Sequence, residues 1–307
     1  MLVSVIVFII SLAVLLKSAD IFTDNIEILG KKFNIPSFIL GVTIVAAGTS
    51  LPELASSIMA MDTAPEIVFG NVIGSNITNI LLIIGFSCLF LKKETNITWD
   101  LYHGDITFFI ASTLILGIIL FDGNVTIVEA SLLIIGYLLY TLYNIDSNNK
   151  NDNPEKNTEL KFNYINVLQI IGGLALVILS ADYLVDSAVD IATFLNVGSD
   201  VIGLTLIAIG TSLPELMVSF VAARKGNIEI AIGNITGSNI FNIFMVVGIP
   251  RFIGELKVTE TIFPTTYVYL LISVALFISV ILDKKLHRFE GAVLLLLFVF
   301  FLIELFV

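Results

Sequence analysis

The apolar residues of this chain fall in blocks of roughly 18–28, long enough to cross about 30 Å of hydrocarbon as helices. No other feature constrains its fold as tightly. Of its 307 residues, 57% are hydrophobic and only 13% charged, and the mean hydropathy is +1.01. A soluble domain carries about 25% charged residues. So few polar side chains cannot cover a water-soluble globule of this size. Soluble enzymes, nucleic-acid binders and disordered scaffolds are excluded. The net charge of −11 argues separately against nucleic acid, whose phosphates need Lys and Arg. The expected fold class is an all-α integral membrane protein.

Ten candidate spans cover roughly 2–29, 38–60, 67–90, 105–121, 125–143, 164–192, 201–222, 228–250, 262–282 and 289–306. The apolar N-terminus lacks the basic flank of a signal peptide and runs through Lys17-Ser18-Ala19-Asp20 into more helix-compatible sequence. It reads as a retained first span. Residues 144–163, centred on Asp-Ser-Asn-Asn-Lys-Asn-Asp-Asn-Pro-Glu-Lys-Asn-Thr, have linker composition. They divide the chain into five-span halves, 1–143 and 164–307. Cys88 stands alone, so no intrachain disulfide is possible. His103 and His287 are far apart in sequence, which suggests no histidine metal site.

Successive connections alternate sides of the membrane. Lys31, Lys32, Lys92, Lys93, Lys150, Lys156, Lys161, Arg224, Lys225, Lys284, Lys285 and Arg288 fall on one side, 12 basic residues against only Arg251 and Lys257 on the other. The positive-inside rule then places the linker in the cytoplasm and both termini outside.

The two halves resemble each other. Gly-Thr-Ser-Leu-Pro-Glu-Leu stands at 48–54 and again at 210–216. Gly70-Asn71 with Gly74-Ser75-Asn76-Ile77 and Asn79-Ile80 returns as Gly233-Asn234 with Gly237-Ser238-Asn239-Ile240 and Asn242-Ile243. Upstream, Ser18-Ala19-Asp20 and Asp24 match Ser180-Ala181-Asp182 and Asp186. Three ordered blocks indicate duplication. Because each half has an odd number of spans, the copies enter the membrane from opposite sides, an inverted repeat of the kind common in secondary transporters. Spans two and three would then meet spans seven and eight near mid-membrane.

The motif itself carries chemistry. Pro52 has no N–H and its ring clashes with the carbonyl of Gly48, so the span is kinked or opened there, and Pro214 acts likewise on Gly210. Freed carbonyls inside a membrane are tolerated where they line a polar cavity. With the hydroxyls of Thr49, Ser50, Thr211 and Ser212 they form a set of neutral oxygens, to which Glu53 and Glu215 add one carboxylate per half. A carboxylate at mid-bilayer costs about 2.5–3.5 kcal/mol or more, and two facing each other repel unless a cation or proton lies between them. An all-oxygen set without thiolate or imidazole favours hard ions such as Na⁺ or Ca²⁺, and Mg²⁺ less, since it holds its water tightly. Ser75 and Asn79 share a helix face, as do Ser238 and Asn242. Plain interhelical hydrogen bonding is the competing account of these four, and close packing that of the glycines.

Two copies of Gly-Thr-Ser-Leu-Pro-Glu, each followed by Gly-Asn-x-x-Gly-Ser-Asn-Ile, resemble the alpha repeats of the sodium/calcium exchanger family within the cation/calcium exchanger superfamily. The resemblance implies a plasma-membrane antiporter of ten helices in two inverted five-helix repeats, moving Ca²⁺ against Na⁺ by alternating access. It implies Glu53 and Glu215 as central Ca²⁺ ligands shared with Na⁺, and Thr49, Ser50, Thr211 and Ser212 as side-chain ligands mainly for Na⁺. Ala46 and Ala208 would offer backbone carbonyls, Ser75 and Ser238 further Na⁺ contacts, and Asn79 and Asn242 would line the centre. The long first and sixth spans would slide against the rest. The partners implied are Ca²⁺, Na⁺ and the bilayer, with no cofactor. Several such exchangers carry Asp at one of the two positions held here by Asn79 and Asn242. In this chain both are amides, so the formal charge of the site comes from the two glutamates alone.

The nearest alternative is a Ca²⁺/H⁺ antiporter of the same superfamily, against which the several hydroxyls argue. A cation channel with acidic filter residues is a rival from another class. No Ser/His/Asp, His-Glu-x-x-His or paired-Asp protease pattern accompanies the glutamates, so no enzyme activity is expected. Asp20, Asp24, Asp182 and Asp186 are expected to pair locally or at an interface before serving as ion ligands.

Overall fold

The computed structural model describes residues 2–62, 65, 67–91, 95–99, 104–150, 162–195, 210–258, 265–282 and 284–306. Helix α1 (Leu2–Phe33) is followed by α2 (Ser37–Ala60) and α3 (Ile67–Leu89), then α4 (Asp105–Asp122) and α5 (Ile127–Lys150). Residues 151–161, most of the expected linker, lie outside the described residues. Then come α6 (Tyr164–Phe194), α7 (Leu213–Arg224), α8 (Ile228–Phe252), α9 (Thr265–Ile281) and α10 (Arg288–Phe306).

Six of these helices, α1, α2, α3, α5, α6 and α8, are long and apolar enough to cross a membrane, and α4 and α9 are shorter apolar helices. Burial sorts them into core and periphery. In α8, 94% of the apolar window is buried inside the protein and in α3 78%, against 22% in each of α1, α5 and α6. The peripheral faces carry large apolar side chains: Leu2, Val3, Met59, Phe121 and Phe289 are 72–87% exposed. Such a surface suits hydrocarbon and not water. The chain is a multi-pass membrane protein.

Local sequence explains the helix ends. Helix α1 runs four residues past its expected end. It closes where Asn34 takes a left-handed φ of 56° and Ile35 N–H donates to the Gly30 carbonyl at 2.9 Å, a Schellman cap ahead of Pro36. Helix α5 continues seven residues into the segment expected to be linker, because no Gly or Pro stands between Gly136 and Pro154 to stop it. Helix α6 opens on a capping box: Asn163 accepts from Ile165 N–H, and Asn166 accepts from Asn163 N–H, both at 2.9 Å.

Helices α1 and α6 pair antiparallel. Near one end Ser4 donates to Asp190 at 3.3 Å, and near the other Asn166 donates to Asn25 at 2.9 Å. In the core, α2 crosses α8 with backbones in contact: a Cβ placed on Gly41 would lie 2.5 Å from the Ile230 carbonyl oxygen and 3.1 Å from Gly233 Cα. Small residues permit this approach, which brings backbone polar groups of two helices within reach of one another.

Short strands join the connections. Strand β1 (Thr95–Asn96) pairs antiparallel with β4 (Lys285–Leu286), and β2 (Asn124–Val125) with β3 (Leu256–Lys257). Since β1 precedes α4 and β2 follows it, the two ribbons lie at opposite ends of an 18-residue helix, about 27 Å apart.

Sequence periodicity does not anticipate three π-helical turns, at Gly41–Val45 in α2, Asn79–Ile84 in α3 and Asn242–Val246 in α8. Two of them begin on the asparagines singled out above, and π-turns are frequent at functional sites.

Candidate functional site

The repeated Gly-Thr-Ser-Leu-Pro-Glu motif produces the same break twice. Ser50 has φ −87° and ψ 6°, Ser212 φ −87° and ψ 4°, and a new helical segment starts at Leu51 and at Leu213. Pro52 and Pro214 occupy the first turn of these segments, where a missing N–H costs nothing. Glu53 and Glu215 therefore stand in the first turn of a helix, where unpaired N–H groups favour negative charge. Both are buried, at 1% and 0% exposure.

Contacts cross between the halves at this point. Ser50 Oγ donates to Glu215 Oε1 at 3.0 Å, and Thr49 Oγ1 donates to Asn234 Oδ1 at 3.1 Å. The hydroxyl of Thr211 lies beside Glu53, and those of Thr49 and Ser238 beside Glu215. Among the described residues, Glu53 Oε2, Glu215 Oε2, Thr211 Oγ1, Ser212 Oγ, Ser238 Oγ, Asn79 Oδ1 and Asn242 Oδ1 are buried oxygens without a hydrogen-bond partner. Buried polar atoms are ordinarily paired. Ser87 Oγ, Asn144 Oδ1 and Thr236 Oγ1 are unpaired as well, but the seven named above fall on two repeated sequence motifs, which makes them candidates for holding a group that accepts lone pairs. Among the described residues no cluster of three or more His, Cys, Asp or Glu exists, and the candidate set is two carboxylates with neutral oxygens. Such a set suits hard cations.

Asparagines brace the carboxylate segments. Asn234 Nδ2 donates to Ser219 Oγ at 2.9 Å and to the Glu215 carbonyl at 3.4 Å. Asn71 Nδ2 does the same in the first half, to Ser57 Oγ at 3.1 Å and the Glu53 carbonyl at 3.4 Å. Neither Asn71 nor Asn234 was singled out as a site residue on spacing, although both stand in the repeated Gly-Asn dipeptide, which was the available signal.

These helices and this repeat match a known family. Residues 3–145 and 165–307 each match the family model described as sodium/calcium exchanger protein. The chain belongs to this family. Among exchanger relatives, the sodium/calcium exchanger MaX1 of Methanosarcina acetivorans is 36% identical over 99% of both chains. The inner membrane protein YrbG of Escherichia coli is 31% identical over 89% of this chain and 87% of its own. A solved structure of the sodium-calcium exchanger NCX_Mj, soaked with zero Na⁺ and Ca²⁺, superposes with a TM-score of 0.81 at 29% identity and covers 99% of each chain.

In this exchanger-family chain the other expected residues fall as follows. Ala46 is fully buried, and its carbonyl accepts the Ser50 N–H at 3.0 Å and lies 3.4 Å from the Thr49 hydroxyl. Its counterpart Ala208 lies outside the described residues. Ser75 is drawn toward Asn71 Oδ1 at 3.4 Å, whereas its copy Ser238 faces Glu215. Asp20 and Asp24 are an interface pair: Lys225 Nζ, from the α7–α8 turn, lies 3.2 Å from Asp20 Oδ1 and 2.8 Å from Asp24 Oδ1.

Proposed function

We propose that this chain is a secondary antiporter exchanging Na⁺ for Ca²⁺ by alternating access, with the ions held at mid-membrane between two inverted five-helix repeats, 1–143 and 164–307, joined by a cytoplasmic linker at 144–163 whose first seven residues prolong α5. The observation that carries this reading is the buried pair Glu53 and Glu215, with Ser50 of the first half bonded to Glu215 of the second and orphaned neutral oxygens on the same motifs. The names of the relatives point the same way.

The ten-span arrangement gains support from the two β-ribbons. Each joins two connections that alternation puts on the same side, 3–4 with 9–10 and 4–5 with 8–9. The first pair of connections carries Lys92, Lys93, Lys284 and Lys285 and the second Arg251 and Lys257, which favours a cytoplasmic first pair and a plasma-membrane protein with external termini.

Ca²⁺ would bind between Glu53 and Glu215, whose two charges balance it. Na⁺ would take the same carboxylates with hydroxyls of Thr49, Ser50, Thr211, Ser212, Ser75 and Ser238, the carbonyls of Ala46 and Ala208, and the oxygens of Asn79 and Asn242. Because the sites overlap, the two ions compete. A site with two unbalanced buried carboxylates is costly to close off from water, whereas a loaded one is not, so only a loaded site switches sides. That asymmetry couples the fluxes.

The deciding experiment is Ca²⁺ uptake by purified protein in sealed liposomes, driven by an outward Na⁺ gradient or an outward H⁺ gradient. Uptake that requires internal Na⁺ is the expected result. Uptake driven by protons alone would replace this reading with Ca²⁺/H⁺ exchange.

A further inference from the structure

Asn79 and Asn242 present a chemical ambiguity that a carboxylate would not. An amide has one end that accepts and one that donates, and an N–H₂ turned toward a cation repels it. Four hydrogen bonds between α3 and α8 remove the ambiguity. Asn76 Nδ2 donates to the Asn239 backbone carbonyl at 3.2 Å, and Asn239 Nδ2 donates to the Asn76 backbone carbonyl at 3.3 Å. A backbone carbonyl can only accept, so each of these amides must turn its nitrogen toward the other strand of the clasp and its oxygen away. Those oxygens then receive the side chains in question: Asn79 Nδ2 donates to Asn239 Oδ1 at 2.9 Å and Asn242 Nδ2 to Asn76 Oδ1 at 3.1 Å. What remains is Asn79 Oδ1 and Asn242 Oδ1, both buried and without a partner.

We propose that Asn76 and Asn239 are positioning residues that lock the Asn79 and Asn242 amides with their oxygens toward the transported cation. This rests on the exchange site proposed above and extends it to two residues that do not touch the ion. All four asparagines are at most 1% exposed, so water does not compete for these bonds. The reciprocal pattern also ties the two halves of the protein together at the point where each π-turn begins.

The test is a double-mutant cycle read by Ca²⁺ binding to purified protein, titrated with CaCl₂ by calorimetry, with thermal stability measured alongside in ion-free buffer. Asn239→Ala frees the Asn79 amide to rotate and should weaken Ca²⁺ binding by about 10-fold or more, the usual cost of losing an orienting partner. In an Asn79→Asp background the same change should cost no further affinity, because a carboxylate offers oxygen whichever way it turns. Asn76→Ala with Asn242→Asp should repeat the pattern. Should an alanine variant fail to fold, Asn239→Ser and Asn76→Ser enter the same cycle with the same expected signs. An equal loss in both backgrounds, tracking lost thermal stability, would make the clasp purely structural and overturn the proposal. So would unchanged binding in Asn239→Ala. Wild-type protein that binds neither Ca²⁺ nor Na⁺ would instead remove the exchange reading itself, and the positioning role with it.

Discussion

The Ser50 hydroxyl on α2 donates to Glu215 Oε1 on α7 across 3.0 Å, with both residues at most 1% exposed. A neutral group of one repeat thus bonds the carboxylate of the other, and in the proposed site neither half is complete. Ser50→Ala should weaken Na⁺ and Ca²⁺ binding together, by about ten- to hundred-fold, since a hydrogen bond to a charged group contributes about 1.5–3 kcal/mol. Binding isotherms for both ions check this, and an unchanged affinity for both would exclude the bridge from the site.

Glu53 and Glu215 supply the formal charge of the proposed site. Glu53→Gln and Glu215→Gln each halve it while keeping shape, and each should abolish Na⁺-driven Ca²⁺ uptake in liposomes. Wild-type rates in either variant would rule out coupling through a shared carboxylate pair.

Asn234 and Asn71 occupy matching positions but unequal surroundings. Asn234 is fully buried and serves Thr49, Ser219 and the Glu215 carbonyl. Asn71 is half-buried, and its bonds to Ser56 and Ser57 remain partly open. Asn234→Ala should therefore cost about 1–3 kcal/mol of stability through unpaired buried groups, and Asn71→Ala less. Thermal unfolding of the two variants in detergent measures the difference, and equal or reversed losses would contradict this account.

Gly41 lets α2 lie against α8 backbone to backbone. Gly41→Ala places a methyl group 2.5 Å from the Ile230 carbonyl oxygen, a clash that neither backbone can relieve by a rotamer change. A destabilisation of about 1–3 kcal/mol is expected, visible as a lower unfolding temperature. Full stability in this variant would show that the crossing can open.

Lys225 joins the α7–α8 turn to α1 through Asp20 and Asp24, which are 45% and 58% exposed at their side chains. Exposed ion pairs are weak, so Lys225→Met should cost only about 0.2–1 kcal/mol. The difference should shrink at high salt, where charges are screened. A large, salt-independent loss would point to packing by the lysine stem instead.

Much of this was legible in the letters. Pro52 and Pro214 announce broken helices because a proline ring cannot accept a helical neighbour four residues back, and the breaks stand at Ser50 and Ser212. Glu53 and Glu215 declare themselves because an acid inside an apolar run is too costly to be incidental. The α5 extension to Lys150 is hidden by polar composition typical of a linker, although no Gly or Pro there interrupts a helix. The π-turns at Asn79 and Asn242 left no trace in periodicity, since helices buried on most sides, 78% and 94% here, carry no single apolar stripe for an extra residue to displace.

The sequence alone determined that this is a membrane protein built from a duplicated unit, and which side chains carry its charge, because hydrophobic length and buried acids are properties of single segments. The tertiary structure decided which oxygens meet. That Asn239 orients Asn79, that Asn234 receives Thr49 and that Lys225 holds Asp20 and Asp24 all depend on helices more than 100 residues apart in the chain. Such contacts arise from the way backbones cross at residues like Gly41 and Gly233. That geometry belongs to the packed bundle and to no segment taken by itself.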